Sequence, residues 1–326
     1  MFKRIAVAFV VLFGSLFLVG GYVTPWPSVL VIRALFDFGT QRTSTALVPR
    51  VPANISVQAD LSYDPGDPDA GYDVYRGTKA RNDGPTIVWF HGGGFVSGRR
   101  GDVANYLKIL AGHGFTVVNL DYSLAPKSIY PMPIKQAHKA LDHLTRNAEK
   151  LNINANRFVL AGDSAGAQIA AQTAATIANP AYARAVGVSP GADVRQLAGT
   201  LLFCGVYDVS KMGKGGGVTG WFVNSVIWAY SGSRDSSGDN RFATMSVTPH
   251  LNPGFPPTFI SAGNADPLEP QSVALAQTAR KQGVATTELF FPANHKPSLA
   301  HEYQFDLDSE DGRLTLTRSV TWLNSL

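Results

Sequence analysis

The stretch 158–178 restricts this chain more than any other. The apolar residues 158–161 run into Gly162, Asp163, Ser164, Ala165 and Gly166, and these into the alanine-rich residues 168–178. A buried strand, a very tight turn and a helix therefore follow one another with no linker, the context that a G-x-S-x-G nucleophile elbow requires. The two glycines permit a backbone so sharp that Ser164 Oγ stands above the sheet, while the helix aims its N-terminal amides at developing negative charge. Ser164 is the candidate nucleophile. With 32 glycines in the chain, the pentapeptide alone is equally compatible with an ordinary turn, so its meaning depends on residues elsewhere.

The surrounding pattern predicts a sheet of the right kind. Apolar, strand-like runs at 86–90, 115–121, 200–207, 257–262 and 287–291 alternate with helical spacing at 103–111, 134–151 and 312–326. That succession predicts an α/β fold with a mostly parallel central sheet and helices on both faces. Residues 57–63 and 71–76 read as an antiparallel edge pair separated by the turn-rich 64–70.

Upstream, His91, Gly92, Gly93, Gly94 and Phe95 follow the run 86–90, at the carboxyl end of a strand, where open α/β sheets place their ligands. Glycines there allow backbone N–H groups to approach a substrate oxygen, so Gly93, Gly94 and Ala165 are the expected oxyanion donors. A serine hydroxyl needs a base, and the base needs an acid to set its tautomer. Asp266, in the loop after 257–262, is the preferred acid, and Asp208, one strand earlier, is its rival. His295 and His301 both lie between the last strand and the last helix, with His250 further off; local chemistry favours His301.

Taken together, the loop at His91, the segment Asp121, Tyr122, Ser123, Leu124, Ala125, Pro126, the elbow, Asp266 and His301 resemble the hormone-sensitive-lipase group of esterases in the α/β-hydrolase superfamily. The resemblance runs from residue 86 to the C-terminus. It implies the α/β-hydrolase fold and hydrolysis of carboxylic esters, mostly of short to medium acyl chain, through an acyl-enzyme and without a cofactor. It also implies Ser164, Asp266 and His301 as catalytic residues, and supports His301 through the aromatic Tyr303 two positions on. Three positions depart from the family pattern: Ser123 where arginine is usual, Lys127 where glutamate is usual, and Gln136 near a usual aspartate. Those charges are expected to tie the scaffold together, so their loss bears on the subfamily more than on catalysis. Asp163 is expected to be a structural hydrogen-bonding residue. An amidase or peptidase would use the same triad, and a non-catalytic binding protein of this fold would be expected to lack a triad member.

Composition narrows the partners. The formal charge of +4 is small for 326 residues and no basic cluster is interleaved with aromatics, which argues against nucleic acid. The single cysteine, Cys204, lies in an apolar run and reads as a buried small hydrophobe; no ligand cluster for a structural zinc is expected, nor a phosphate loop. The glycine-rich residues 213–217 read as a flexible loop.

Lys3 and Arg4 precede an uncharged run, residues 5–23, whose 19 residues at about 1.5 Å each nearly span a hydrocarbon core of roughly 30 Å. Residues 1–24 therefore read as a membrane anchor or a cleaved signal peptide, and 25–326 as one catalytic domain, exported with its N-terminus left cytoplasmic. Cap elements are expected from about 25–50, including an amphipathic helix over 28–38, and from the long insertion 209–252. There Trp221, Phe222, Trp228 and Tyr230 either line an acyl or alcohol pocket or anchor the insertion.

Overall fold

The computed structural model describes residues 20–212 and 215–326. The predicted anchor or signal lies outside these residues apart from 20–23, which are helical, and no helix among the described residues is long and apolar enough to cross a membrane.

Eight strands, β1 (Ile55–Ser62), β2 (Gly71–Gly77), β3 (Thr86–Phe90), β4 (Thr116–Leu120), β5 (Phe158–Asp163), β6 (Leu197–Phe203), β7 (Thr258–Ser261) and β8 (Thr286–Leu289), form one sheet. Their order is β1-β2-β4-β3-β5-β6-β7-β8. β2 pairs antiparallel with both β1 and β4, and every pairing from β4 to β8 is parallel. The long helices are α1 (Trp26–Leu47), α2 (Arg100–Gly112), α3 (Met132–Arg146), α4 (Ala165–Ala178), α5 (Gly217–Ser231), α6 (Glu269–Lys281) and α7 (Glu310–Ser325).

Alternation along the strands builds two cores. Val88, Phe90, Phe158 and Leu160 point to one face, where α3, α4 and α6 bury Ile134, Leu141, Ile169 and Leu275. Ile87, Trp89, Val159 and Ala161 point to the other, under Tyr106 and Leu110 of α2 and Trp322 and Leu323 of α7. Because both faces are covered, β3, β4 and β5 are buried at every position, which is why they read as continuous apolar runs.

The three departures from the family pattern have a common outcome. Ser123 Oγ and Lys127 Nζ donate to Asp69 Oδ2 at 2.9 and 3.1 Å. Gln136 accepts from Ser123 N–H at 2.8 Å and donates to Asp67 Oδ2 at 2.6 Å. Two aspartates of the β1–β2 loop thus supply the charge, and the segment after β4 stays tied to α3.

Several elements differ in extent from what their periodicity suggests. The amphipathic helix expected over 28–38 continues to Leu47. The helix expected over 134–151 divides at Asn147, giving α3 and a short turn Ala148–Leu151. The glycine-rich stretch ends in α5, which begins at Gly217. Pro131 precedes α3, and Pro27 and Pro133 lie in the first turns of α1 and α3, where a missing N–H removes no helix bond.

The closest backbone approach in the sheet holds the elbow. A Cβ on Gly166 would collide with the Phe90 carbonyl and lie 2.6 Å from His91 O. Gly166→Ala is therefore expected to cost roughly 1–3 kcal/mol as overpacking. A lower urea midpoint at unchanged m-value would report it.

Candidate active site

The elbow is built by three constraints. Ser164 sits at φ +52° and ψ −118°, a strained conformation for a residue with a side chain. Its N–H donates to Phe203 O at 2.8 Å, tying the turn to the end of β6. Gly166 lets α4 start directly against β3, so the first amides of α4, with no partner inside the helix, face the same end of the sheet.

Two loops bring partners to Ser164. Asp266 follows β7 with its side chain fully buried, and its Oδ1 accepts from Leu268 N–H at 2.8 Å. His301 lies between β8 and α7. Its Nδ1 is 2.8 Å from Asp266 Oδ2, and its Nε2 is 2.9 Å from Ser164 Oγ. A carboxylate only accepts, so Nδ1–H donates to Asp266, and in the neutral ring Nε2 is left to accept the Ser164 hydroxyl proton. Burial alone disfavours the imidazolium, but Cys204, Asp266 and Glu302 outweigh it and hold the His301 pKa well above the usual imidazole value.

The rival residues are occupied elsewhere. Asp208 caps a helical turn, accepting from Ser210 N–H at 3.1 Å and pairing with Lys211 at 3.4 Å. His295 Nε2 pairs with Asp311 at 2.9 Å and its ring lies against Phe291. His250 stacks on Tyr182 with centroids 4.0 Å apart.

The glycine loop after β3 is held from below. His91 is buried and stacks on Tyr122, whose hydroxyl donates to His91 O at 2.7 Å, and burial pushes its imidazole pKa down. Gly93 has φ +114°, and a Cβ there would run into Ser97 O, so no other residue fits without moving the loop. Neither Gly93 nor Gly94 N–H meets an acceptor among the described residues. Asp163 accepts from Trp89 Nε1 at 2.9 Å, so the residue before the nucleophile braces the elbow against β3.

A cavity of about 230 Å³ opens above these groups. Ser164, His301 and Glu302 line its floor; Leu35, Phe36, Thr40 and Leu47 of α1 and Val103 and Tyr106 of α2 line its walls. The insertion aromatics divide their tasks. Phe222 packs on Phe36 with centroids 5.8 Å apart, and both lie beside Gly94. Tyr230 is buried against Phe95, with centroids 4.2 Å apart, and serves as an anchor.

Glu302 was not singled out by the sequence, and its signal was weak: a carboxylate next to a candidate base. It adopts φ +61° and turns its side chain toward Asp163. Burial first, and then the Glu302 charge, push the Asp163 carboxyl well above the usual carboxylate range. Among the described residues no lysine or arginine lines the cavity, so His301, 3.8 Å from Glu302, is the cationic partner nearest the two acids. The thiol of Cys204 is also closer to the site than a core hydrophobe need be. Ligand-type atoms of Cys204, Asp266 and His301 lie within 4.8 Å of one another. Burial pushes the thiol pKa up, against the opposing influence of neighbouring His301.

A sharp strand–turn–helix elbow on a mostly parallel eight-stranded sheet, with an acid and a histidine on later loops, defines an α/β-hydrolase. Residues 87–296 match the family model described as the alpha/beta hydrolase fold, and the chain belongs to that family, which contains the hormone-sensitive-lipase-like esterases. Among solved structures, esterase B from Lactobacillus rhamnosis is 24% identical, with TM-score 0.74, covering 91% of this chain and 96% of that one. An esterase from Pyrobaculum calidifontis is 21% identical, with TM-score 0.71 and coverages of 91% and 92%. A bacterial heroin esterase is 21% identical, with TM-score 0.67 and coverages of 89% for both chains. At these identities the likeness is one of fold.

The geometry separates the two histidines experimentally. His301→Ala should abolish serine-dependent turnover, while His295→Ala should retain it within a fewfold. Since the base must be neutral to accept a proton, and its pKa is raised, the acidic limb of kcat/KM should lie above the usual imidazole value of about 6.5. Asp266→Asn should move that limb down and reduce kcat by about 10⁴-fold, both read from pH–rate profiles.

Proposed function

We propose that the protein is a serine carboxylesterase. The observation that carries this reading is the continuous hydrogen-bonded chain from Ser164 through His301 to buried Asp266, at the floor of a largely apolar cavity. In the reaction, His301 Nε2 takes the Oγ proton as Ser164 attacks the ester carbonyl. Asp266 stabilises the imidazolium, and the amides of Gly93, Gly94 and Ala165 receive the oxyanion. Collapse of the tetrahedral species passes the proton from His301 to the leaving alkoxide and leaves an acyl-serine. Water, deprotonated by the same histidine, attacks the acyl carbon and releases the acid.

A cavity of about 230 Å³ falls below the usual small-ligand range of roughly 300–1,000 Å³, which supports acyl groups of short to medium length. In this reading α1 and the insertion 209–252 form the cap, and Phe36 and Phe222 shape its entrance. Residues 1–24 supply the anchor or export signal, with Lys3 and Arg4 on the cytoplasmic side. The names of the three solved structures, all esterases, agree with the reaction class.

The test is turnover of p-nitrophenyl esters of increasing acyl length, run beside the matching anilides and a fluorophosphonate probe. The wild type should hydrolyse the shorter esters, leave the anilides largely intact and label covalently. Ser164→Ala should lose labelling and about 10⁶-fold in kcat; full activity in that variant would overturn the reading.

A further inference from the structure

α1 is apolar on two faces, and only one of them is covered. Val29, Ile32 and Phe36 pack toward the core. Val31, Leu35 and Phe38, spaced i, i+4, i+7, form a second stripe that is exposed, with Leu35 63% and Phe38 75% accessible. A helix of this kind, apolar on its outer as well as its inner face, requires a second apolar partner. The exposure continues onto α5, where Val218 is 80% accessible. The two helices touch through Phe36 and Phe222, so both exposed surfaces belong to the roof over the cavity. Leu35 is at once part of the outer stripe and part of the cavity wall, so the patch runs to the mouth of the site.

Three further observations identify the partner. First, α1 begins three residues after the uncharged apolar run 5–23, so the patch is joined to a segment suited to a hydrocarbon phase. Second, the exposed Arg234 guanidinium lies over aromatic rings near the N-terminal end of α1, 5.1 Å from Tyr22 and 5.4 Å from Trp228, whereas Arg33 donates inward to Val96 O and Ala125 O. Tyrosine, tryptophan and arginine together are the side chains that suit the headgroup layer, and the Arg234 cation complements anionic phospholipids. Third, α1 carries Arg33 and Asp37 among its apolar residues, which suits a helix lying in the interface rather than one crossing it.

We infer that the outer face of α1, with the start of α5, docks on a phospholipid bilayer, and that the ester substrate enters the cavity from the lipid phase past Leu35. The substrate class is then an ester of a membrane-partitioned, lipid-like molecule. The docking stands on the surface alone, whereas the substrate class rests on the esterase reading above.

The experiment uses the full chain in vesicles of phosphatidylcholine and phosphatidylglycerol. With Cys204 buried, a fluorophore can be placed at Phe38→Cys on the patch or at exposed Glu149→Cys as a reference. Nitroxide-labelled lipid should quench the probe at 38 several-fold more than the one at 149. Equal quenching at both sites would overturn the docking. So would a probe at 38 shielded from both lipid nitroxide and aqueous iodide, which would mean that residues 5–23 or a second copy cover the patch.

For the substrate, Val31→Ser/Phe38→Ser should lower hydrolysis of a vesicle-held short-acyl ester of a long-chain alcohol about tenfold while water-soluble p-nitrophenyl acetate is turned over as in the wild type. An equal rate on both esters would overturn lipid-phase entry. A wild type inactive on either ester would count against the esterase reading and leave the quenching result to decide the docking.

Discussion

The contact between Gly166 and the Phe90 carbonyl is the tightest constraint on which the site depends. It allows α4 to begin immediately against β3, and that start forces Ser164 into its positive φ. The Ser164 N–H then finds its acceptor on Phe203, at the end of the neighbouring strand. Strain of this sort persists only where the surroundings over-determine it. Here two parallel strands, buried at every position, do so. The same register that buries β3 and β5 also puts the glycine loop and the elbow side by side at their carboxyl ends.

Electrostatics inside the cavity follow from burial with no lysine or arginine among its described lining residues. Asp266 accepts from the His301 ring and from Leu268 N–H. Asp163 has the Trp89 Nε1–H as its side-chain donor and the Glu302 carboxyl nearby, so burial and that neighbour raise its pKa. Asp266 thus meets the His301 ring, while Asp163 faces the histidine loop through Glu302. The contrast arises from neighbours, since both aspartates are almost fully buried.

The roof has a different physical character from the sheet beneath it. α1 and α5 are held by aromatic contacts around Phe36, Phe222 and Tyr230, and their outer surfaces stay apolar. A sheet with both faces covered has no further partner to seek; a roof apolar on both sides does. The cavity is walled largely by α1, so whatever orders that helix also shapes the room available above Ser164.

Local sequence determined what depends on neighbours along the chain. The strand–glycine–serine–glycine–helix unit, the glycine loop after β3, and the order of serine, acid and histidine were all legible, because each is a short-range pattern with a backbone cause. The choice of His301 over His295 and of Asp266 over Asp208 was only favoured, since all four residues occupy similar loops. Tertiary structure parts them physically: Asp311 engages His295, Ser210 and Lys211 engage Asp208, and only His301 reaches both Asp266 and Ser164. The replacement of the missing charges near Ser123 and Gln136 by Asp67 and Asp69 was likewise invisible. So were the turn of Glu302 toward Asp163 and the extension of α1 to wall the cavity. Each depends on residues far apart in sequence meeting across the sheet, which periodicity and spacing along one strand or helix do not encode.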